Sequence, residues 1–195
     1  MGVSKSDIKR RLSSLSGFEN PDPELEQYVT PPELAAELAH AAALNGDLGE
    51  VHDLGCGTGM LAIATALAGA RPVVGYDVDE DALEAARRNS TETGVEDICR
   101  FQKRDVAEME CVDGTVGSNP PFSVHSDMFE EFISVIAESQ VFYLVAPAGA
   151  ETGLKALEDC FEMETARHTV SLPPTMRFHR EAGHEIEVDL WRGTR

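Results

Sequence analysis

Lysine is scarce in this chain, supplying four of the 16 basic residues, set against 35 acidic ones for a formal net charge of −19. A uniformly acidic surface argues against a protein that grips nucleic acid by broad charge neutralisation. It points instead to adaptation to high salt, as in a halophilic archaeon. At molar salt the Debye length falls to about 3 Å, so self-repulsion costs little. The basic residues are unevenly spread. Lys5, Lys9, Arg10 and Arg11 crowd the start, Arg167, Arg177 and Arg180 lie near the end, and Lys155 stands alone between Asp105 and Thr165. Contact with nucleic acid through the two basic ends therefore stays open.

Cysteine is sparse too, with Cys56, Cys99, Cys111 and Cys160 far apart and no C-x-x-C pair. That spacing disfavours zinc and a disulfide scaffold and fits reduced thiols, so no metal ligand is assigned. No apolar run approaches the roughly 20 residues a membrane helix needs, and the first residues hold no apolar signal region. The expectation is a cytoplasmic protein with no membrane partner. An M-G-x-x-x-S myristoylation pattern (Gly2, Ser6) is loose enough to arise by chance. The N-S-T at Asn89–Thr91 would matter only in a secreted protein. Repeats, low-complexity tracts and linkers are missing, so the 195 residues read as one domain with residues 1–30 as an N-terminal extension.

What is present is alternation. "SKSDIKRRLSSL" reads as a short helix and "GFENPDPELEQYVTPP" as a proline-punctuated loop. "PPELAAELAHAAAL" follows as a helix, with Thr30 as N-cap and Pro31 and Pro32 in its first turn. Then "EVHDL", "RPVVGYD", "ICRFQKRD", "DGTVGSN" and "QVFYLVAP" read as strands. Helical patterns sit among and after them: "GMLAIATALAGA", "DEDALEAARRNSTETG", "SDMFEEFISVIAES" and "AGAETGLKALEDC". This predicts an α/β fold with a mostly parallel sheet covered by helices on both faces. "FEMETARHTVSL" and "EIEVDLW" have no helix between them, which predicts an antiparallel hairpin at one edge.

"VHDLGCGTGML" sets Gly55, Gly57 and Gly59 between the first strand and its helix, just after Asp53. Asp77 ends the second strand 18 residues beyond Gly59, where a carboxylate can accept from ribose hydroxyls. Asp105, followed by Val106, ends the third and could reach an adenine amino group. These strand ends point into one crevice, where open α/β sheets bind ligands. The spacing is G-x-G-x-G with Met60 next, a poor fit to a pyrophosphate, which needs a small third residue. S-adenosylmethionine has no phosphate and offers an adenosine for the two aspartates, so it is the expected cofactor.

"SNPPF" follows the fourth strand into the same crevice. Asn119 brings a side-chain carbonyl, Pro120 a backbone carbonyl without an N–H, and Pro121 stiffens the turn. An exocyclic amine on a base is a weak nucleophile because its lone pair is delocalised into the ring. Two acceptors gripping its hydrogens localise that pair for attack on a methyl group, by positioning and electrostatics. Phe122 adds a stacking face, and the base must be unpaired or flipped out to reach it. The glycines and aspartates also have a plain reading as turns and caps.

"DLGCGTG", "GYDVD" and "SNPPF" resemble motifs of class I methyltransferases that act on amino or amide nitrogens. "LEQYVTPPELAAELA" and "LPPTMRFHREAGHEIEVDLWR" resemble, more narrowly, the methyltransferase-like-five family, whose eukaryotic members make N6-methyladenine in small-subunit ribosomal RNA. The resemblance spans roughly residues 24–192. It implies a Rossmann-like class I fold with a seven-stranded, mostly parallel sheet ending in the antiparallel hairpin. It further implies that Gln27, Tyr28 and Thr30 close over the cofactor's amino-acid end, and that Asn119, Pro120, Pro121 and Phe122 hold the adenine. Phe178 and His179 would lie by the RNA entrance. A small zinc-binding activator subunit would dock by strand addition to the sheet edge. The chain departs from the family at Ser123, where glycine is usual, and in a short, uncharged loop before "SDMFEEF". In that loop His125 could contact substrate, and Ser126 reads as a helix N-cap.

Three other readings use the same residues. A protein glutamine N5-methyltransferase needs the same ledge, but such enzymes usually carry tyrosine at position 122 and a sizeable helical N-terminal domain. A DNA adenine methyltransferase would need a target-recognition domain for which there is no room. A non-catalytic, cofactor-binding ribosome-assembly factor would have no use for Asn119.

Overall fold

The computed structural model describes residues 3–121, 128–172 and 184–195. Its sheet has seven strands: β1 (Val51–Leu54), β2 (Val73–Asp77), β3 (Cys99–Lys103), β4 (Thr115–Ser118), β5 (Val141–Pro147), β6 (Glu162–Leu172) and β7 (His184–Thr194). Their order is β3-β2-β1-β4-β5-β7-β6. The first five pair in parallel, and β7 inserts antiparallel between β5 and β6. The order reverses between β1 and β4, and this switch opens a crevice above their carboxyl ends. The expected α/β sheet with its edge hairpin is what the chain builds.

The helices are α1 (Lys5–Leu12), α2 (Pro32–Asn45), α3 (Met60–Ala68), α4 (Glu80–Thr93), α5 (Met128–Ala137) and α6 (Glu151–Glu158). Helix α3 is apolar on every side, and Met60 through Leu67 are all buried. Such a helix needs cover all round; α1, α2 and α4 supply it on one side and the sheet on the other. Helix α4 is amphipathic, with Asp79 accepting from Asp81 N as its N-cap and Gly94 closing it in the left-handed conformation. Two hydrophobic clusters result, the first mainly alanine and aliphatic, the second richer in aromatics. One lies under α1–α4, and the other lies between α5, α6 and the opposite sheet face, where Phe142 and Phe161 meet edge to face at 5.0 Å.

One cap differs from expectation. Helix α2 starts at Pro32, its N-cap is Pro31, and no side chain caps it. Thr30 stands one residue outside, its hydroxyl turned towards the end of β4 instead. The basic N-terminus is also resolved. Lys5 pairs with Glu37, Lys9 with Glu33 and Arg10 with Asp7, while Arg11 donates to the Thr93 carbonyl. Lys5, Lys9 and Arg11 thus fasten α1 to α2 and α4, while the Arg10 pair lies within α1. Asn89 of the N-S-T triplet is buried, and both ends of its amide are hydrogen-bonded inside the fold. Gly2 lies outside the described residues.

Candidate active site

The glycine turn is built by backbone conformation before any ligand is considered. Gly55, Gly57 and Gly59 all have positive φ, which favours glycine. Gly57 N donates to Asp77 Oδ2 (2.7 Å) and Asp79 N to Asp77 Oδ1 (2.9 Å), so the second strand's carboxylate holds the turn of the first. Burial pushes the Asp77 carboxyl up, and these two N–H groups pull it back. Two of its roughly four acceptor positions remain open to a hydroxyl. A Cβ at Gly57 would lie 2.8 Å from the Phe18 ring, which shows how closely the N-terminal segment lies over the turn.

A cavity of about 380 Å³ opens there. Its lining includes Gly55, Gly57, Asp77, Asp105 and Val106 from the sheet side, and Gln27, Tyr28 and Thr30 from the N-terminal segment. Asn119 and Pro121 close one end. Asp105 N-caps a short 3-10 turn, Val106–Glu108, through Oδ1 to Ala107 N (3.0 Å), leaving Oδ2 towards solvent. Gln27 is anchored at both ends, accepting from Asp22 N (2.7 Å) and donating to Asp79 Oδ2 (2.6 Å). Ten of the sequence-predicted residues thus meet around one space.

Two predicted residues lie behind it. Gly59 faces Ala86 and Phe101, where a Cβ would come within 3.1–3.2 Å; its task is close packing of α3 against α4 and β3. Asp53 is buried and accepts from Ala62 N (2.9 Å) in the first turn of α3. Burial pushes its carboxyl up to about 8, against the pull of that N–H. The helix N-terminus that would receive a phosphate in a dinucleotide site is therefore already occupied by a side chain of the protein.

Asn119 is the meeting point of two cavities. On its other flank lies a second, of about 420 Å³, walled by Pro31 and Leu34 of α2, Pro120, and Val145, Val170 and Val188 of β5, β6 and β7. Tyr28 and Val29 line both spaces. Asn119 Nδ2 donates to Thr30 Oγ1 at 3.1 Å, so the amide is pinned by its nitrogen. Phe122, Ser123, His125, Ser126, Phe178, His179, Arg177 and Arg180 lie outside the described residues. No cluster of three or more His, Cys, Asp or Glu side chains that could hold a metal ion occurs among the described residues.

Sequence reasoning missed Phe18, Asn89 and the aliphatic wall of the second cavity. Asn89 accepts from Ser16 N (3.1 Å) and donates to Ser16 O and Thr58 O (2.9 Å each), stapling the N-terminal segment to the glycine turn. A polar residue on the buried face of an amphipathic helix was the available signal.

Residues 35–138 match the family described as ribosomal protein L11 methyltransferase (PrmA), a stretch running from α2 through α5. Over nearly its whole length the chain is similar to the rRNA N(6)-adenosine-methyltransferase Mettl5 of Drosophila melanogaster, at 33% identity over 95% of this chain and 93% of that protein. The METTL5 protein of Danio rerio, with the same described activity, is 30% identical over 96% of this chain and 97% of its own. Among solved structures, PH1948 of Pyrococcus horikoshii, a candidate RNA methyltransferase, matches with a TM-score of 0.85 at 32% identity, covering 100% of this chain and 99% of that one.

Proposed function

The chain belongs to the METTL5-like rRNA N(6)-adenosine-methyltransferases, and from that premise we propose that it methylates the N6 amino group of an unpaired or flipped-out adenine in small-subunit ribosomal RNA, with S-adenosylmethionine as methyl donor. The observation that carries this reading is Asn119 at the junction of two cavities, one lined by Asp77, Asp105 and Glu131 and the other by Pro120 and aliphatic side chains of β5, β6 and β7. One space suits a charged nucleoside derivative and the other a flat base.

The residues fit the cofactor. Asp77 keeps acceptor capacity for ribose hydroxyls after holding Gly57, and Asp105 keeps one oxygen for the adenine amine. Among the described residues, Glu26, Asp77, Asp105 and Glu131 line the cavity against one cation, Arg104, an electrostatic balance that favours a ligand of net positive charge. When bound, S-adenosylmethionine supplies an electrophilic methyl on a sulfonium. The chain's own part is to grip. Asn119 Oδ1 and the Pro120 carbonyl accept the two hydrogens of the target amine and draw its lone pair out of the ring. Phe122 stacks on the base, and the aliphatic wall keeps water from its other side.

Because the surface is strongly acidic and the exposed N-terminal cations Lys5, Lys9 and Arg10 already face carboxylates, RNA recognition leans on stacking and shape rather than on many phosphate contacts. Affinity should then fall only shallowly with salt. A zinc-binding activator adding a strand to an open sheet edge is part of the proposal. The outer edge of β3, which exposes Arg100, Gln102 and Lys103, is one such edge. A chain fully active and stable alone would remove that partner. The free thiols accord with a cytoplasmic setting, which imaging of a tagged chain would test.

The deciding experiment supplies labelled S-adenosylmethionine with total RNA and with protein extract, then analyses nucleosides and amino acids. Label in N6-methyladenosine is expected. Label confined to protein would replace this reading with a protein methyltransferase, the activity named for the family matching residues 35–138, and label in glutamine would specify the amide-methylating form. A cofactor bound without transfer to either would leave a ribosome-assembly factor.

A further inference from the structure

We propose that Thr30 is a positioning residue for the acceptor grip: by taking the hydrogen bond of Asn119 Nδ2, it commits the amide's carbonyl oxygen to the incoming amine. The inference rests on the reading above that Asn119 holds the target nitrogen. Its geometric basis is the 3.1 Å contact between Asn119 Nδ2 and Thr30 Oγ1, which joins residues 89 apart in sequence. Thr30 is only 7% exposed, so water does not compete freely for the bond.

Two further facts single this contact out. Thr-Pro-Pro-Glu is a sequence suited to N-capping, yet α2 has no side-chain cap and Pro31 stands at its N-cap position. The hydroxyl that would have capped the helix is used on Asn119 instead. A local rule broken at the edge of the site is where function rather than folding sets the side chain. The second fact is the symmetry of an amide, whose two ends have nearly the same shape but opposite hydrogen-bonding roles. Turned the other way, Asn119 would present N–H groups to an amine that itself offers N–H groups, and the grip would become a repulsion. A hydroxyl can serve either end of an amide, and Thr30 is restricted to accepting when its own proton is donated into the first cavity, which it also lines, so the orientation is fixed with that cavity filled.

Thr30 is carried by the N-terminal segment, which Gln27 ties to Asp79 and Asn89 ties to the glycine turn. The grip on the acceptor is therefore complete only when the segment covering the cofactor cavity is in place. This links the two halves of the site through one hydroxyl.

The test uses the full chain and the substrate found by the labelling experiment. Thr30→Val keeps the shape and removes the acceptor. It should lower kcat about 10–100-fold, the scale of a misplaced reacting group, read at saturating S-adenosylmethionine so that any change in cofactor Kd, which Thr30 can affect by lining the first cavity, does not enter. Thr30→Ser should restore kcat to within about three-fold of wild type. Thr30→Ala, which lacks valine's second methyl, should match Thr30→Val; near-wild-type kcat in Thr30→Ala would assign the valine effect to packing and overturns the proposal. Unchanged kcat in Thr30→Val overturns the proposal. So does a weakened cofactor Kd with unchanged kcat, which would make Thr30 a cofactor ligand only, and so does failure of Thr30→Ser to restore. A readout independent of activity is solvent exchange of the Asn119 side-chain amide in ¹⁵N-labelled protein. Slow exchange is expected in wild type and Thr30→Ser and fast exchange in Thr30→Val; fast exchange in wild type overturns the proposal whatever the substrate. Transfer to glutamine in place of adenine would sink the RNA reading and leave Thr30 open to the same measurements, since that amide is a flat nitrogen too.

Discussion

The first cavity joins the glycine turn, Asp77 and Asp105 at the ends of β1 to β3 to the N-terminal segment and the start of α5. The second sets proline rings and aliphatic side chains of α2, β5, β6 and β7 beside Glu26, Tyr28 and Asn119. Their volumes are close, about 380 and 420 Å³, and they share Glu26, Tyr28, Val29 and Asn119, but the remaining ionisable groups differ: Asp77, Arg104, Asp105 and Glu131 line only the first. In the first, positive-φ glycines are locked by N–H groups donating to Asp77, so its shape is set by hydrogen bonds that a ligand can share. In the second, the walls are core residues that happen to end at a surface, and selectivity there comes from excluding water and admitting a flat ring. A methyl donor and a neutral base need these two environments, and Asn119 needs to stand in both.

The comparison breaks most sharply at Asn119 itself. Asn119→Ala should cut methyl transfer about 10²–10³-fold, the usual cost of removing one preorganised electrostatic partner. The cofactor Kd should stay nearly unchanged, as titration calorimetry beside a transfer assay would show. Asp77→Ala attacks the other side. Two buried N–H groups lose their acceptor, so the unfolding free energy should drop by about 1–3 kcal/mol and cofactor affinity roughly 10–100-fold, with kcat at saturation changed less.

Ile186 borders the second cavity and is only partly buried. Ile186→Trp should fill part of that space and raise KM for RNA about ten-fold, the scale at which a hydrophobic pocket discriminates by size, without moving cofactor affinity. An equal loss of cofactor affinity would show the two cavities to be one.

The mildest test is pH. The folded Asp53 carboxyl sits at about 8, above its unfolded value of 3.8, so its contribution favours the fold below pH 4 and is lost as pH rises towards 8. Asp53→Asn should remove that part of the decline, giving a flatter stability profile between pH 4 and 8 in chemical denaturation. An unchanged slope would place the pH dependence elsewhere.

The first cavity was legible in the sequence because its parts are local. Three glycines, a strand-ending aspartate and a second one after β3 each follow a strand, and parallel pairing in register brings such ends together. Asp53 and Gly59 show where that logic overreaches, since both belong to the same motif yet turn inward, one to the backbone of α3 and one to α4. The second cavity was not legible. Val145, Val170 and Val188 read only as alternating core positions, and nothing local tells a buried valine that closes a core from one that walls a pocket. Thr30 reads as a cap for the same reason: its partner, Asn119, stands just past β4, far along the chain.

From the sequence alone came the order of strands and helices, the glycine turn, the two carboxylates at the ends of β2 and β3 and the Asn-Pro-Pro ledge, because each follows from conformational limits that act within a few residues. Tertiary structure decided which of these groups face a common space, where the aliphatic wall stands and which way the Asn119 amide turns. Those depend on side chains meeting across the sheet, and burial leaves each polar group in need of a partner that only the folded chain can bring.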